Sequence, residues 1–276
     1  MSRAPSQVIE AGRRSLLTDI GELVAARELL LFLVWRDVKV RYKQTAIGVV
    51  WALLQPLLTM LVFAAVFGRL AQLRGATGGV PYPLYVLSGL LPWIFFATSV
   101  SNAGTSLLAG ASLVSKVYFP RLLIPLASVG VALVDFAISL LLLVVALTWY
   151  GHAPGAQALL SLLFLALAVL AAIGFGAAAA ALAVSYRDVR YALPFLIQIW
   201  MFATPVVYPP ALIPERWRPV FALNPLVGAV DGFRASILGL PVDSTASALA
   251  VAGCGVLFVL GLSYFRSVER RFADVI

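Results

Sequence analysis

Residues 36–67 read RDVKVRYKQTAIGVVWALLQPLLTMLVFAAVF. Five charges crowd into Arg36–Lys43, and the chain then runs from Gln44 to Gly68 without an Asp, Glu, Lys or Arg. Those 25 residues exceed the roughly 20 that a helix needs to cross the hydrocarbon core of a bilayer. Lys and Arg beside a span bias that flank to the cytoplasm. The stretch therefore predicts a membrane-spanning helix with a basic collar at its cytoplasmic end.

The rest of the chain agrees. It is 62% hydrophobic and 12% charged over 276 residues, with a mean hydropathy of +0.99. A soluble domain is about 25% charged. The net charge of +8 sits beside apolar spans, which points to anionic lipid headgroups and topology rather than nucleic acid. One cysteine, Cys254, rules out an internal disulfide framework. No cleavable leader is expected, because the first 28 residues are polar and of mixed charge.

Cutting the charge-free runs at turn signals predicts an all-α membrane protein with six spans, at about 46–68, 84–105, 123–148, 157–184, 191–209 and 247–265. Residues 209–241 carry five charges, and their longest charge-free run is too short to cross. Two short helices are expected there, near 214–222 and 226–238, dipping into the membrane from outside; an amphipathic surface loop is the other reading. Fifteen Lys and Arg fall on one side of this scheme and five on the other, which predicts both termini in the cytoplasm. The domains follow as an N-terminal segment 1–27, an amphipathic interfacial helix 28–44, the transmembrane domain 45–269 and a tail 270–276. On a helical projection the apolar stripe of the interfacial helix is Leu31, Trp35, Val38 and Tyr42. Arg36, Lys39 and Lys43 lie on the adjacent stripe, and Asp37 and Arg41 are spaced as an i,i+4 pair.

The chemistry is sparse. No glycine-rich phosphate loop is present, His152 reads as a solvated loop residue, and no metal site or acid–base pair is suggested. Asp135 is an intramembrane charge. It is read either as a proton-carrying group or, preferentially, as a carboxylate paired with a Ser, Tyr or Arg near a helix end. Trp93, Phe95, Phe96, Trp200, Phe202 and Tyr208, together with Trp35 and Tyr42, are aromatics that could stack on sugar rings in a channel or form interface belts.

Five segments in order, VRYKQTAIGVVWALLQPLLTMLVFAAVFGRL, SGLLPWIFF, SKVYFPRLLIPLASV, YRDVRYALPFLIQIWMFATPVVYP and LNPLVGAVDGFR, resemble the permease subunits of polysaccharide ABC exporters of the ABC-2 type. The nearest likeness is to the O-antigen/lipopolysaccharide branch, which is akin to teichoic acid and capsule export. The resemblance covers Glu28 to Arg271. It implies a homodimer with a channel between two copies, in a bacterial inner membrane, with two copies of a separate ATPase that hold the ATP and Mg and no cofactor on this chain. It implies an undecaprenyl-diphosphate-linked glycan as cargo. ATPase coupling would fall to Arg36, Asp37, Lys39, Arg41 and Lys43, to Leu113, Lys116 and Tyr118 in the 106–121 return, and to Arg187 and Asp188. Arg36, Arg41 and Lys43 would meet the diphosphate at the entrance. Trp217, Phe221, Asn224, Pro225, Asp231 and Arg234 would form the periplasmic gate. The rivals are an ABC-2 drug or lipid exporter subunit, an enzyme of glycan assembly, and an ion-coupled carrier resting on Asp135.

Overall fold

The computed structural model describes residues 21–22, 24–43, 48–70, 77–116, 119–269 and 272. Among these residues the fold is helical throughout, with no strand. Helix α1 (Arg27–Lys43) is followed by α2 (Val50–Leu70), α3 (Tyr82–Ala109), the short α4 (Ala111–Lys116) and α5 (Leu123–Trp149). A 3-10 turn (Ala156–Leu160) then leads into α6 (Ser161–Ser185), followed by α7 (Val189–Phe202). Two 3-10 turns, Pro210–Leu212 and Glu215–Trp217, precede α8 (Arg218–Ala222), α9 (Pro225–Leu238) and α10 (Ser244–Glu269).

Among the described residues, five helices are long and apolar enough to cross a membrane: α2, α3, α5, the 156–185 unit and α10. The expected fifth span is shorter than 191–209. α7 is an apolar helix of 14 residues, about 21 Å at 1.5 Å per residue. It stops at Phe202 because Pro205 offers no N–H and turns Thr204 away from helical geometry. Residues 203–209 continue without helix. The two short helices expected after it appear as the 215–222 unit and α9.

α3 is the axis of the bundle, with 78% of its spanning window buried. It packs against α2, α5, α6, α7 and α9. α6 and α10 approach closely because Gly174 and Gly261 face each other, and a Cβ on either would overlap the other helix's backbone. The small-residue face around Gly174 is thus used within one chain. α2 stands apart, with most of its side chains half-buried or exposed. Gly48, at a left-handed φ of 54°, turns the chain into α2, which therefore starts at Val50 rather than at residue 46. Cys254 is buried, with its Sγ 4.0 Å from the Pro225 carbonyl.

The spans alternate in direction, so the C-terminal ends of α3, α6 and α10 share one end of the bundle with the start of α5. There Arg121 donates to the Glu269 carbonyl, which joins the start of α5 to the end of α10. α9 sits at the other end, packed on α3, α6 and α10 and buried from Leu226 to Leu238 apart from the half-buried Asp231. It is an internal helix and not a surface loop. Gly239 closes it with a left-handed φ of 66°, the usual role of glycine at a helix C-terminus. Gln157 Nε2 donates to the Leu240 carbonyl at 2.7 Å. His152 Nε2 lies 2.9 Å from the Leu238 carbonyl, so His152 joins the cap of α9 and is not the solvated loop residue expected.

Candidate functional site

α1 packs on the first half of α5. Leu33 is buried in one cluster with Leu123 and Ala127, Val34 fills the notch at Gly130, and the Tyr42 hydroxyl donates to Asp135 Oδ1. These contacts advance together along both helices. The face turned to α5 is therefore Leu30, Leu33, Val34 and Tyr42, with Leu33 buried and the other three half-buried. Of the expected apolar stripe of the interfacial helix, Val38 and Tyr42 are half-buried, and Leu31 and Trp35 are 66% and 59% exposed. The glycine at position 130 leaves the gap that Val34 enters.

Asp135 is held on two sides. Arg41 Nη1 lies 2.9 Å from its Oδ2, and Tyr42 binds the other oxygen. The paired reading of Asp135 is the one realised. Burial, and then the hydrogen bond to Asp135, raise the Tyr42 hydroxyl's pKa above its ordinary value, so it remains a donor across the neutral range. Nearby, Pro56 has no N–H to give the Ala52 carbonyl four residues back. Ser139 of α5 reaches that carbonyl at 3.0 Å, a repair that membrane helices commonly use. Behind these groups a cavity of about 450 Å³ lies between α2, α3 and α5.

A second cavity, of about 490 Å³, lies between α1, the end of α3, α4 and the start of α5. It brings together Arg36, Asp37 and Leu113, with Asn102, Thr105 and Ser128 among its polar walls. Arg36 and Asp37 are ion-paired at 2.8 Å. Three of the expected coupling residues thus share one groove. Arg41 lines the other cavity. Lys39 lies 4.6 Å over the Trp35 ring, and Lys43 is exposed in the last turn of α1. Arg187 and Asp188 are exposed in the turn between α6 and α7 and line neither cavity. Lys116 ends α4; its side chain, Tyr118, residues 1–20 and the tail 270–276 apart from Phe272 lie outside the described residues. The three cations expected at the entrance separate: Arg36 turns to Asp37, Arg41 to Asp135, and Lys43 faces outward.

At the opposite end Arg234, expected as an outer-flank charge, is completely buried. Nη2 donates to the Pro205 carbonyl at 3.0 Å and to the Val206 carbonyl. Nη1 donates to the Tyr85 hydroxyl at 3.0 Å and to Asp231 Oδ1 at 2.8 Å. Nε donates to the Tyr85 carbonyl at 3.2 Å, and the guanidinium lies 4.1 Å over the Tyr85 ring. Gly89 leaves the room, since a Cβ there would overlap the guanidinium. Asn224 adds a second link. Its Oδ1 accepts from the Trp200 indole and from the Leu226 amide, and its Nδ2 donates to Thr204 Oγ1 at 2.9 Å. Pro225 opens α9 behind it. Residues 203–209 are thereby tied to α9 and α3. Trp217 is exposed under Arg216, and Phe221 is half-buried.

The aromatics divide. Trp93, Phe95 and Phe96 are buried inside the chain. Phe96 meets Trp200 edge-on at 5.3 Å, and Phe95 meets Phe136 at 5.9 Å, so all three fill the bundle rather than a surface. Trp35 and Phe202 are exposed. Tyr208 is half-buried and donates to the Phe202 carbonyl.

Comparison with known proteins sets this geometry in a family. Residues 28–238 match the model of the ABC-2 type transporter family. The chain is 30% identical over 261 residues to the O-antigen export system permease protein RfbA of Myxococcus xanthus, covering 93% of this chain and 98% of that one. It is 28% identical over 252 residues to RfbA of Klebsiella pneumoniae, covering 90% and 95%. It is 22% identical over 256 residues to the polysialic acid transport protein KpsM of Escherichia coli, covering 85% and 91%. With its apolar spans and a match that includes α1 through α9, the chain belongs to the ABC-2 type transporter family.

Proposed function

We propose that this chain is the membrane subunit of an ATP-driven polysaccharide exporter, with an undecaprenyl-diphosphate-linked glycan, O-antigen above all, as its cargo. What carries the reading is the likeness to O-antigen export permeases over nine-tenths of both chains. Two copies would form the channel and a separate ATPase would supply the energy. Both termini and the groove between α1 and α4 would face the cytoplasm, where that ATPase docks. Residues 203–238, tied together by Arg234 and Asn224, would form the outer gate. Asp135 supports this reading over an ion-coupled carrier, because Arg41 and Tyr42 already engage both of its oxygens.

The test is deletion and complementation. Loss of this chain is expected to abolish surface glycan while lipid-linked glycan accumulates inside, and the wild-type chain restores export only with its ATPase. Export by the purified chain in vesicles without any ATPase would overturn the reading.

A further inference from the structure

We propose that Phe272 and the Glu269 carbonyl, at and beyond the end of α10, form a brace for the groove between α1 and α4. They hold the head of α5, and the head of α5 holds the groove in the shape that receives the ATPase. This role rests on the docking surface proposed above, and it makes Phe272 and Arg121 positioning residues outside that surface.

Phe272 is completely buried. It meets Phe265 of α10 edge-on, with ring centroids 5.4 Å apart. Both belong to one cluster with Leu107 near the end of α3, Leu122 at the head of α5 and Val184 at the end of α6. A second tie lies beside this cluster. Arg121 donates to the Glu269 carbonyl, a helix-end carbonyl of the kind that takes partners outside its own helix.

Two adjacent residues carry the brace to the groove. Leu122 lies in the cluster of Phe272. Leu123 lies in the other cluster, with Leu33 of α1 and Ala127, and Leu113 of α4 and Phe119 pack against it. On its α5 side the groove is walled by Ile124, Ala127 and Ser128, and Ile124 packs against the Phe272 cluster too. α4 has little means of holding itself. It has six residues, against the roughly 12–15 below which an isolated helix is marginal, and none of Ala111, Ser112 and Leu113 is buried. Its place is set by the end of α3 and the head of α5, and Leu107 and Leu122 bring both into the cluster that Phe272 completes. Phe272 itself lines neither cavity, so it acts through these neighbours. A docking surface already held in its bound shape gains affinity, because less ordering remains to be done on binding.

The wild-type, Phe272→Ala and Phe272→Leu chains are placed in nanodiscs and read in two ways. In the chain alone, amide exchange of residues 119–124 is expected to quicken about tenfold in Phe272→Ala. Phe272→Leu, which refills most of the space, is expected to restore most of the protection. Binding is then titrated with the ATPase that restores export in the complementation experiment. Its Kd is expected to rise about tenfold in Phe272→Ala. Leu113→Asp, which places a charge in the groove itself, is expected to lose binding with the brace intact. Unchanged exchange, or an unchanged Kd, in Phe272→Ala while Leu113→Asp still blocks binding overturns the brace and leaves the docking reading standing. Wild-type binding by Leu113→Asp overturns the docking reading, and the role of the brace with it. Should Phe272→Ala fail to fold, Arg121→Met, which removes the second tie, is judged by the same two readings.

Discussion

Replacing Arg234 by methionine removes a buried guanidinium while roughly keeping its length. Five acceptors lose a donor: two Tyr85 oxygens, Asp231, and the Pro205 and Val206 carbonyls. They do not count equally. The Tyr85 carbonyl also accepts from Ser88 Oγ at 2.9 Å, and Asp231, at 30% exposure, can be hydrated. The Pro205 and Val206 carbonyls lie in buried, non-helical backbone, where each orphaned acceptor costs about 1–3 kcal/mol. Relief of the cation's own desolvation offsets part of this, and breaking a buried pair by removing one partner costs about 3–5 kcal/mol. At about 2–4 °C per kcal/mol, the expected fall in melting temperature is roughly 6–20 °C. Tryptophan fluorescence or size-exclusion of heated, detergent-solubilised protein would read it. Arg234→Lys keeps the charge but loses the fork that spans both carbonyls, and is expected to lose most of the same stability. An Arg234→Met protein melting within about 2 °C of wild type would refute the reasoning. A wild-type Arg234→Lys protein would show that charge alone, not forked geometry, holds residues 205–206.

Asn224→Ala removes the cap on the Leu226 amide and the links to Trp200 and Thr204; a loss of about 1–2 kcal/mol and a red shift of tryptophan emission are expected, and an unshifted spectrum would count against the link. Gly261→Leu drives a side chain into the Gly174 backbone, where overpacking costs about 1–3 kcal/mol or more; Gly255→Ala, with open space around it, is the neutral control, and equal yields of folded protein from both would deny the close α6–α10 approach. Asp135→Asn is expected to leave glycan export standing; its abolition in a stably folded variant would revive a proton-carrying role. The raised pKa of Tyr42 gives a sign: the folded state favours the protonated hydroxyl, so its contribution to α1 docking is full below about pH 10, the ordinary tyrosine value, and falls as pH rises beyond it. Amide exchange of α1 followed from pH 8 to 11 reads this, and a loss of protection already complete by pH 9 would contradict it.

The helices were legible because membrane spans are written in composition, and a charge-free run does not depend on what lies beside it. The stop of α7 was written too, in Pro205, but the apolar run continues to Pro209 and hid it. What stayed illegible depends on partners far along the chain. Arg234 resembles an outer-flank cation until Tyr85 and residues 205–206, 149 and about 28 positions away, close round it. Only the glycine at 89 hinted that something large must fit there. The face of α1 that meets α5 follows a gap at Gly130, a feature of another helix, so a projection of α1 alone showed its apolar stripe but not which residues meet α5. Asp135 fared better. A carboxylate at that depth needs a partner, and the basic, tyrosine-bearing collar was the nearest supply.

The clasp of Arg234 and Asn224 limits how the proposed gate can move. α7 buries only Leu193 and Ile197, which makes it, with α2, among the least anchored of the long helices. Yet the chain beyond it is fixed to α9 and α3 by Arg234 and Asn224. α7 can therefore tilt about its far end more easily than it can part from α9. A channel opening between residues 203–209 and α9 must first draw the Arg234 guanidinium off two buried carbonyls, whereas one that moves α7 and α9 together leaves every one of these bonds in place. The second route is the one the packing favours.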